Sequence, residues 1–423
     1  MITTLLRDLK NSPTAFHAVD TVRRRLLEVG YAPLGRDDAL ATGGKYFITP
    51  HSSSLIAFRL PTQRPIGFII SASHADSPCF HLRDHAELTG GDFVRLSAER
   101  YGGMIHDSWL DRPLSIAGRV MVRTADGVRQ QLVDLQRDAV LIPRLAIHLN
   151  RSVNEGYKYD PAKDLIPLYG AASSAGSLRR ELAARLGCAG EDILSTDLII
   201  YNNQDGTVWG PADEFLSAPR LDDLACVFTC TEAFLQAADS LSVPVLCVFD
   251  NEEIGSETKQ GAAAVTLPET LAVIAAALGE DLGRLLENSL LLSCDNGHGR
   301  HPNHPELADA SEAPVLGGGV VIKHSPRYAT DAMSAALFSE ICRRAGVPVQ
   351  HYANRPDQAG GATLGNIAST RTPISTVDIG MAQLAMHSCF ETLATADVTY
   401  FLKAVTACYE SALRADGDTV QIL

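Results

Sequence analysis

The segment Asp250-Asn251-Glu252-Glu253-Ile254-Gly255-Ser256 follows directly on the apolar run VPVLCVF and places two glutamates side by side. Adjacent acids in a loop are ordinary solvated charge unless other residues give them work. Several polar residues at the ends of other apolar runs do. His74-Ala75-Asp76 follows IGFIISAS, Asp295 and then His298 follow SLLLSC, and His387 lies in Met386-His387-Ser388 near the C-terminus. Asp222 and Asp223 lie at the start of a helical pattern, DDLACVF. Each is weak alone: a histidine after a strand is commonly a loop residue, and an aspartate at a helix start is commonly an N-cap. In a parallel α/β sheet, however, the carboxyl ends of the strands form one edge where ligands bind. Two imidazoles and three carboxylates gathered there suit two zinc-like ions sharing one bridging carboxylate. Nitrogen and oxygen donors fit Zn²⁺, Co²⁺ or Mn²⁺, and no thiolate set points to an iron–sulfur or copper(I) site.

That donor set leaves one glutamate of the pair over. Neighbouring residues at a strand end point in different directions. One can therefore hold an ion while the other takes a proton from the attacking water and returns it to a leaving amine. Asp76 is placed to accept the second ring N–H of His74 and so fix its tautomer.

The elements that must position these residues are legible from periodicity. VPVLCVF (243–249), SLLLSC (289–294), GVVIK (319–323), VPVQHYA (347–353) and PISTVDI (373–379) read as strands, separated by segments of helical spacing such as ATDAMSAALFSEICRRAG. SSLIAFRL (53–60) and PIGFIISASHAD (65–76) extend the set, preceded by a helix over 15–29. The rhythm predicts an α/β fold with a mostly parallel sheet sandwiched by helices. From about 86 to 214 the period falls to two, with Gly and Asp at turns and one helix at 177–187, which predicts antiparallel strands. The expected organisation is a discontinuous catalytic domain, 1–85 and 215–423, split by an inserted β-rich domain, 86–214. With 423 residues the chain is long enough for both.

Composition removes several classes of function. A formal net charge of −14, spread along the chain, disfavours nucleic acid and anionic membrane as partners. No secretory leader and no apolar run of membrane-spanning length is visible. The nine cysteines form no CxxC pair, and several sit inside apolar runs, as in a reducing compartment; the expected location is the cytoplasm. Alternation aims Cys294 away from the metal edge, and it and Cys389 are read as packing. Gly317-Gly318-Gly319 lacks the context of a phosphate loop and is expected to turn sharply or let backbone approach a pocket.

HADSP, PRLDDL, DNEEIGS, SCDNGHGRHPN, IKHSPRYAT and MAQLAMHS occur in this order and resemble the M18 aminopeptidases, the aspartyl aminopeptidase family. The likeness runs from Ser12 to Ser388, nearly the whole chain. It implies a metallopeptidase with two co-catalytic ions, a dimerisation role for the inserted domain, and a homo-oligomer, a tetrahedral dodecamer built from dimers. On that pattern Asp222 bridges the ions, His74 and Asp295 complete one site, and Glu253 and His387 the other. Glu252 is then the general base and Asp76 the carboxylate behind His74. The implied substrates are peptides with an N-terminal Asp or Glu. Lys323, His298 and Tyr328 match family positions in the substrate pocket, and His148 matches a histidine supplied by a neighbouring subunit. Two departures stand out: Asp223 replaces a frequent asparagine, and the Lys323–Tyr328 loop is short. The competing expectations are a deacylase or carboxypeptidase acting on N-acyl amino acids, which would want an arginine for a free α-carboxylate, and an inactive oligomeric scaffold.

Overall fold

The computed structural model describes residues 1–35, 38–358 and 360–423. They form two compact units: Met1–Asp76 with Gly206–Met386 and Glu391–Leu423, and Ser77–Asp205 with His387–Phe390.

The first unit is built on a nine-stranded sheet: β1 (Ala32–Pro33), β2 (Lys45–Ile48), β3 (Leu55–Arg59), β4 (Gly67–His74), β5 (Ser242–Phe249), β6 (Leu290–Cys294), β7 (Val320–His324), β8 (Val349–Ala353) and β9 (Ser375–Gly380). Across the sheet their order is β1-β2-β3-β5-β4-β6-β9-β7-β8. Five of the eight neighbour pairs are parallel, among them the central β5-β4, β4-β6 and β6-β9. The strands read as unbroken apolar runs because both faces are covered. Alternate residues enter separate cores: Ile69, Leu246, Leu290 and Leu292 face one layer, Ile70, Val245, Cys247 and Leu291 the other. Four helices matter below: α1 (Leu221–Gln236), α2 (Ala332–Arg344), α3 (Leu364–Arg371) and α4 (Thr395–Tyr409). A smaller five-stranded sheet, also in this unit, includes Thr207–Trp209, Phe215–Ala218 and Gly297–His298.

The second unit is a six-stranded sheet whose adjacent strands all run antiparallel, with its own core and one helix, Ser177–Leu186, closed by Gly187 at φ 66°. This unit's main segment spans 77–205, where the sequence led us to expect an insertion over 86–214. Strand Cys79–Leu88 pairs only with strands of the insertion, whereas Thr207–Trp209 and Phe215–Ala218 pair within the first unit. Pairing partners, which no local pattern reveals, set these boundaries. Among the described residues no helix is long and apolar enough to cross a membrane.

The glycine cluster at 317–319 turns the chain, with φ of 83° at Gly317 and 113° at Gly319. Both flanking N–H groups donate to the carboxylate of Asp397, in the first turn of α4, at 2.7 and 2.9 Å.

Candidate active site

Three adjacent parallel strands end at one edge and deliver the polar residues. His74, the last residue of β4, pairs with Phe249, the last of β5, and Cys294 at the end of β6 is level with Ile379. The chain leaving β5 reverses through Asn251 in the left-handed region, φ 63°, into a single 3-10 turn, Glu252–Ile254. The carboxylate of Asp76 receives the N–H of Glu252 on one oxygen and that of Glu253 on the other, each at 3.1 Å. The side chain of Asn251 accepts from Thr258 and Gln260, both at 2.9 Å, and ties down the rest of the loop.

Asp222 arrives from another direction, at the start of α1. Its N–H donates to buried Glu391 at 3.0 Å, and the preceding carbonyl, Leu221 O, accepts from Asn296 Nδ2 at 2.9 Å. The Asp222–Asp223 peptide is cis. Asp222 and Asp223 have non-helical dihedral angles, so the regular turns of α1 begin after them. Asp223, which is fully buried, accepts the His74 N–H on Oδ2 at 3.3 Å, a bond an asparagine oxygen would also accept. Burial pushes the Asp223 carboxyl well up; His74 opposes this, and Asp295 and Asp222 add to it.

These groups converge on His74. Its Nδ1 lies 3.1 Å from the Asp76 carbonyl oxygen and 3.4 Å from that residue's Oδ1. A carbonyl can only accept, so Nδ1 carries a proton, and Nε2 is the nitrogen turned to the carboxylates. Asp76 therefore fixes the tautomer chiefly through its backbone, while its carboxylate is occupied with the two glutamate amides. Nε2 faces Asp222 Oδ1 at 3.5 Å, Asp295 Oδ1 at 3.9 Å and Glu252 Oε2 at 4.0 Å. Ligand atoms of His74, Asp222 and Asp295 lie within 4.8 Å of one another, as do those of His74, Glu252 and Glu253. One imidazole nitrogen facing several carboxylate oxygens is a nitrogen-and-oxygen donor set of the kind that fits zinc. Burial alone would lower the His74 pKa, but the carboxylates of Asp222, Asp295, Asp76 and Glu252 around it carry it well above its ordinary value. Burial raises Glu252 to about 7, with His74 opposing and Asp295, Asp76 and Asp222 adding.

Beside this cluster Lys323 is buried, with Nζ 3.1 Å from Asp295 Oδ2 and 3.3 Å from Asn296 O, and 5.5 Å from the ring centre of Tyr328. Burial would lower its pKa, yet the charges of Asp295, Tyr328 and Asp378 and the hydrogen bond to Asp295 together outweigh that and raise it. His298 is exposed on the strand Gly297–His298 and meets Tyr352 edge-on at 6.0 Å. Tyr352, which the sequence did not single out, packs beside His298 and Tyr328. It pairs with Lys323 across β7 and β8, and the alternation of VPVQHYA carries the signal for its face. Cys294 lies in the hydrophobic core of the first unit and Cys389 in that of the second, as packing residues.

His387 and His148 belong to the second unit. His387 Nδ1 donates to Gly103 O at 2.7 Å, which makes its Nε2 the acceptor nitrogen. His148 is exposed in a segment that also exposes Leu145, Ile147 and Leu149.

Residues 9–409 match the family model described as Aminopeptidase I zinc metalloprotease (M18). A protein of Clostridium acetobutylicum named "Probable M18 family aminopeptidase 2" is 40% identical over 96% of this chain and 97% of its own length. A protein of the same name from Pseudomonas aeruginosa is 38% identical over 96% of this chain and 97% of its own. Among solved structures, the cryo-EM structure of the Ape4 and Nbr1 complex gives a TM-score of 0.93 at 31% identity, covering 96% of this chain and 85% of that one. The mApe1 dodecamer of S. cerevisiae gives 0.84 at 26% identity, covering 96% and 95%.

Proposed function

The chain belongs to the M18 family of zinc metallopeptidases and is a metal-dependent aminopeptidase, and on that footing we propose that it removes N-terminal Asp or Glu from peptides with two co-catalytic ions. The observation that carries this is the set of carboxylate oxygens gathered around His74 Nε2, beside a pair of glutamates held by one aspartate. In this proposal Asp222 would serve both ions, His74 and Asp295 would hold the first, and Glu253 would hold the second. His387 is assigned to the second ion on the family pattern, supported by its Nδ1–H tautomer. Zinc supplies electrophilic polarisation of the scissile carbonyl and makes a water acidic near neutral pH.

The chain's own groups do the rest. Glu252, with a carboxyl near neutrality, takes the proton of the attacking water on its carboxylate and delivers it to the leaving amine nitrogen. Asp76 holds the turn that aims it. Lys323, His298 and Tyr328 form the substrate pocket with Tyr352. The Lys323 ammonium has three donors, of which Asp295 and Asn296 take two, so an acidic side chain of the substrate can share it. The protein is further proposed to be a cytoplasmic homo-oligomer, a dodecamer as S. cerevisiae mApe1 is, in which His148 reaches the site of a neighbouring copy through the inserted domain.

The test is release of the first residue from short peptides by zinc-loaded protein. Asp- and Glu-initiated peptides should be cleaved, neutral ones more slowly, and N-acetylated ones not at all. Cleavage of acetylated peptides, or release of the C-terminal residue, would establish the deacylase or carboxypeptidase alternative.

A further inference from the structure

Asp378 lies in β9 and is fully inaccessible to solvent, an aspartate in the middle of an apolar strand. Burying a carboxylate is costly unless its oxygens are bonded, and the bonds found here lead to the substrate pocket. Oδ2 accepts the N–H of Ala329 at 2.6 Å, the residue directly after Tyr328. Oδ1 accepts the hydroxyl of Thr363, just ahead of α3. The backbone N–H of Asp378 donates to Thr330 Oγ1 at 2.8 Å. Gly365 makes room for this: a Cβ there would stand 2.7 Å from Asp378 Oδ1.

The segment so held is the short connection between Lys323 on β7 and helix α2. It turns on itself, with the Tyr328 N–H donating to Ser325 O at 3.0 Å and the Arg327 N–H to Ser325 Oγ at 3.2 Å. Asn366 Nδ2 donates to Arg327 O from α3. On its far side Asp331 caps α2, accepting the Ser334 N–H at 2.7 Å, so residues 329 and 330 lie between a helix cap and the Asp378 clamp. Strands β7 and β9 pair antiparallel, Val321 with Gly380 and Ile322 with Ile379. Continued by one step, that register brings Lys323 level with Asp378, and side chains at the same level share a face.

We propose that Asp378 is a positioning residue of the substrate pocket: by holding Ala329 and Thr330 it fixes the Tyr328 ring over the Lys323 ammonium. The inference rests on the assignment of Tyr328 and Lys323 to the pocket. The short stretch between Lys323 and Tyr328 has few ways to place a tyrosine, and a clamp on the next amide and on the hydroxyl oxygen after it selects one of them. Pre-set geometry of this kind is worth up to about a hundredfold in rate for a displacement near 1 Å.

A double-mutant cycle on the zinc-loaded enzyme tests it, using Asp378→Asn, Tyr328→Phe and the pair, with kcat and KM measured on a peptide beginning with Glu. Zinc content and thermal midpoint are followed alongside. Tyr328→Phe and Asp378→Asn should each lower kcat/KM by about tenfold, with KM carrying more of the Asp378 effect than kcat. In the Tyr328→Phe background Asp378→Asn should cost less than about twofold, because the hydroxyl that the held ring presents is already gone. Zinc content should not change. Equal losses in both backgrounds, with Tyr328→Phe impaired, overturn the role of Asp378 alone. A Tyr328→Phe enzyme at full activity overturns the pocket assignment and the proposal with it. Should Asp378→Asn fail to fold, Thr330→Val removes the backbone half of the clamp and serves the same cycle, with a smaller loss and the same coupling.

Discussion

Lys323 Nζ donates to Asp295 Oδ2 at 3.1 Å, so the one buried ammonium beside the carboxylate cluster, among the described residues, is bonded to a proposed metal ligand. Lys323→Met keeps the stem and removes the charge. Discrimination between Glu- and Leu-initiated peptides should fall by at least about tenfold, because a desolvated cation no longer rejects neutral side chains. Zinc affinity, measured by competition with a chelator, should drop about tenfold as well, since Asp295 loses the partner that orients it. Equal loss on both peptides would remove Lys323 from specificity and leave it as support for Asp295.

Glu252→Gln leaves the shape of the turn and abolishes its proton acceptor. The expected loss in kcat is about 10²- to 10⁴-fold, with zinc content and assembly size unchanged. A variant retaining more than a tenth of the activity would place the base elsewhere.

Asp76→Asn tests the clamp on the two glutamates. An amide offers one acceptor oxygen where the carboxylate offers two, so either Glu252 or Glu253 loses its backbone anchor. A fall in kcat of about 10- to 100-fold is expected, with weaker zinc retention on dialysis. Wild-type kinetics would show that the 3-10 turn holds its shape without Asp76.

Removing zinc should destabilise the fold, because an ion that binds the folded donor set and not the unfolded chain adds to stability. The thermal midpoint should fall on chelation and rise with added zinc, following ligand linkage: about 2.7 kcal/mol at a hundredfold excess over Kd. A midpoint indifferent to zinc would mean that the site is held by protein contacts alone.

Asp397 gives a pH dependence away from the metal centre. Burial raises its pKa from 3.8 to about 6 against the lowering effect of the Gly317 and Gly319 N–H groups. A raised folded-state pKa means that the native protein holds this proton more tightly than the unfolded chain. Its contribution is therefore fully present below pH 3.8 and is lost as pH rises through about 6. The loss is on the order of 3 kcal/mol for a shift of about two units. Urea unfolding of Asp397→Asn across pH 4–7 should lack this decline; an unchanged slope would assign it to other carboxylates.

Much of this architecture was legible in the chain. Strands such as VPVLCVF and SLLLSC announce themselves because a sheet covered on both faces needs apolar residues at every position. That Glu252, Glu253, His74 and Asp295 would lie together was legible because parallel strands end at one edge. The unit boundaries were not, since Cys79–Leu88 and Phe215–Ala218 look alike locally and differ only in the strands they pair with. The division of Asp76 between a carbonyl for His74 and a carboxylate for two amides was equally hidden. Residue type named the partner but not the atom. Asp378 shows the same limit: PISTVDI reads as a strand, and the loop that its aspartate serves is 49 residues away in the chain.

The single carboxylate beneath Glu252 and Glu253 has a consequence for how errors spread through the site. With consecutive amides tied to the two oxygens of Asp76, a disturbance of the 250–261 loop moves both glutamates in common mode. The separation between the proposed ligand and the proposed base is conserved, while their joint distance from His74 changes. Distant perturbations should therefore act like a focus adjustment, degrading metal retention and proton transfer together and in proportion. Substitutions at Asp76 itself are the ones that should make the two losses diverge.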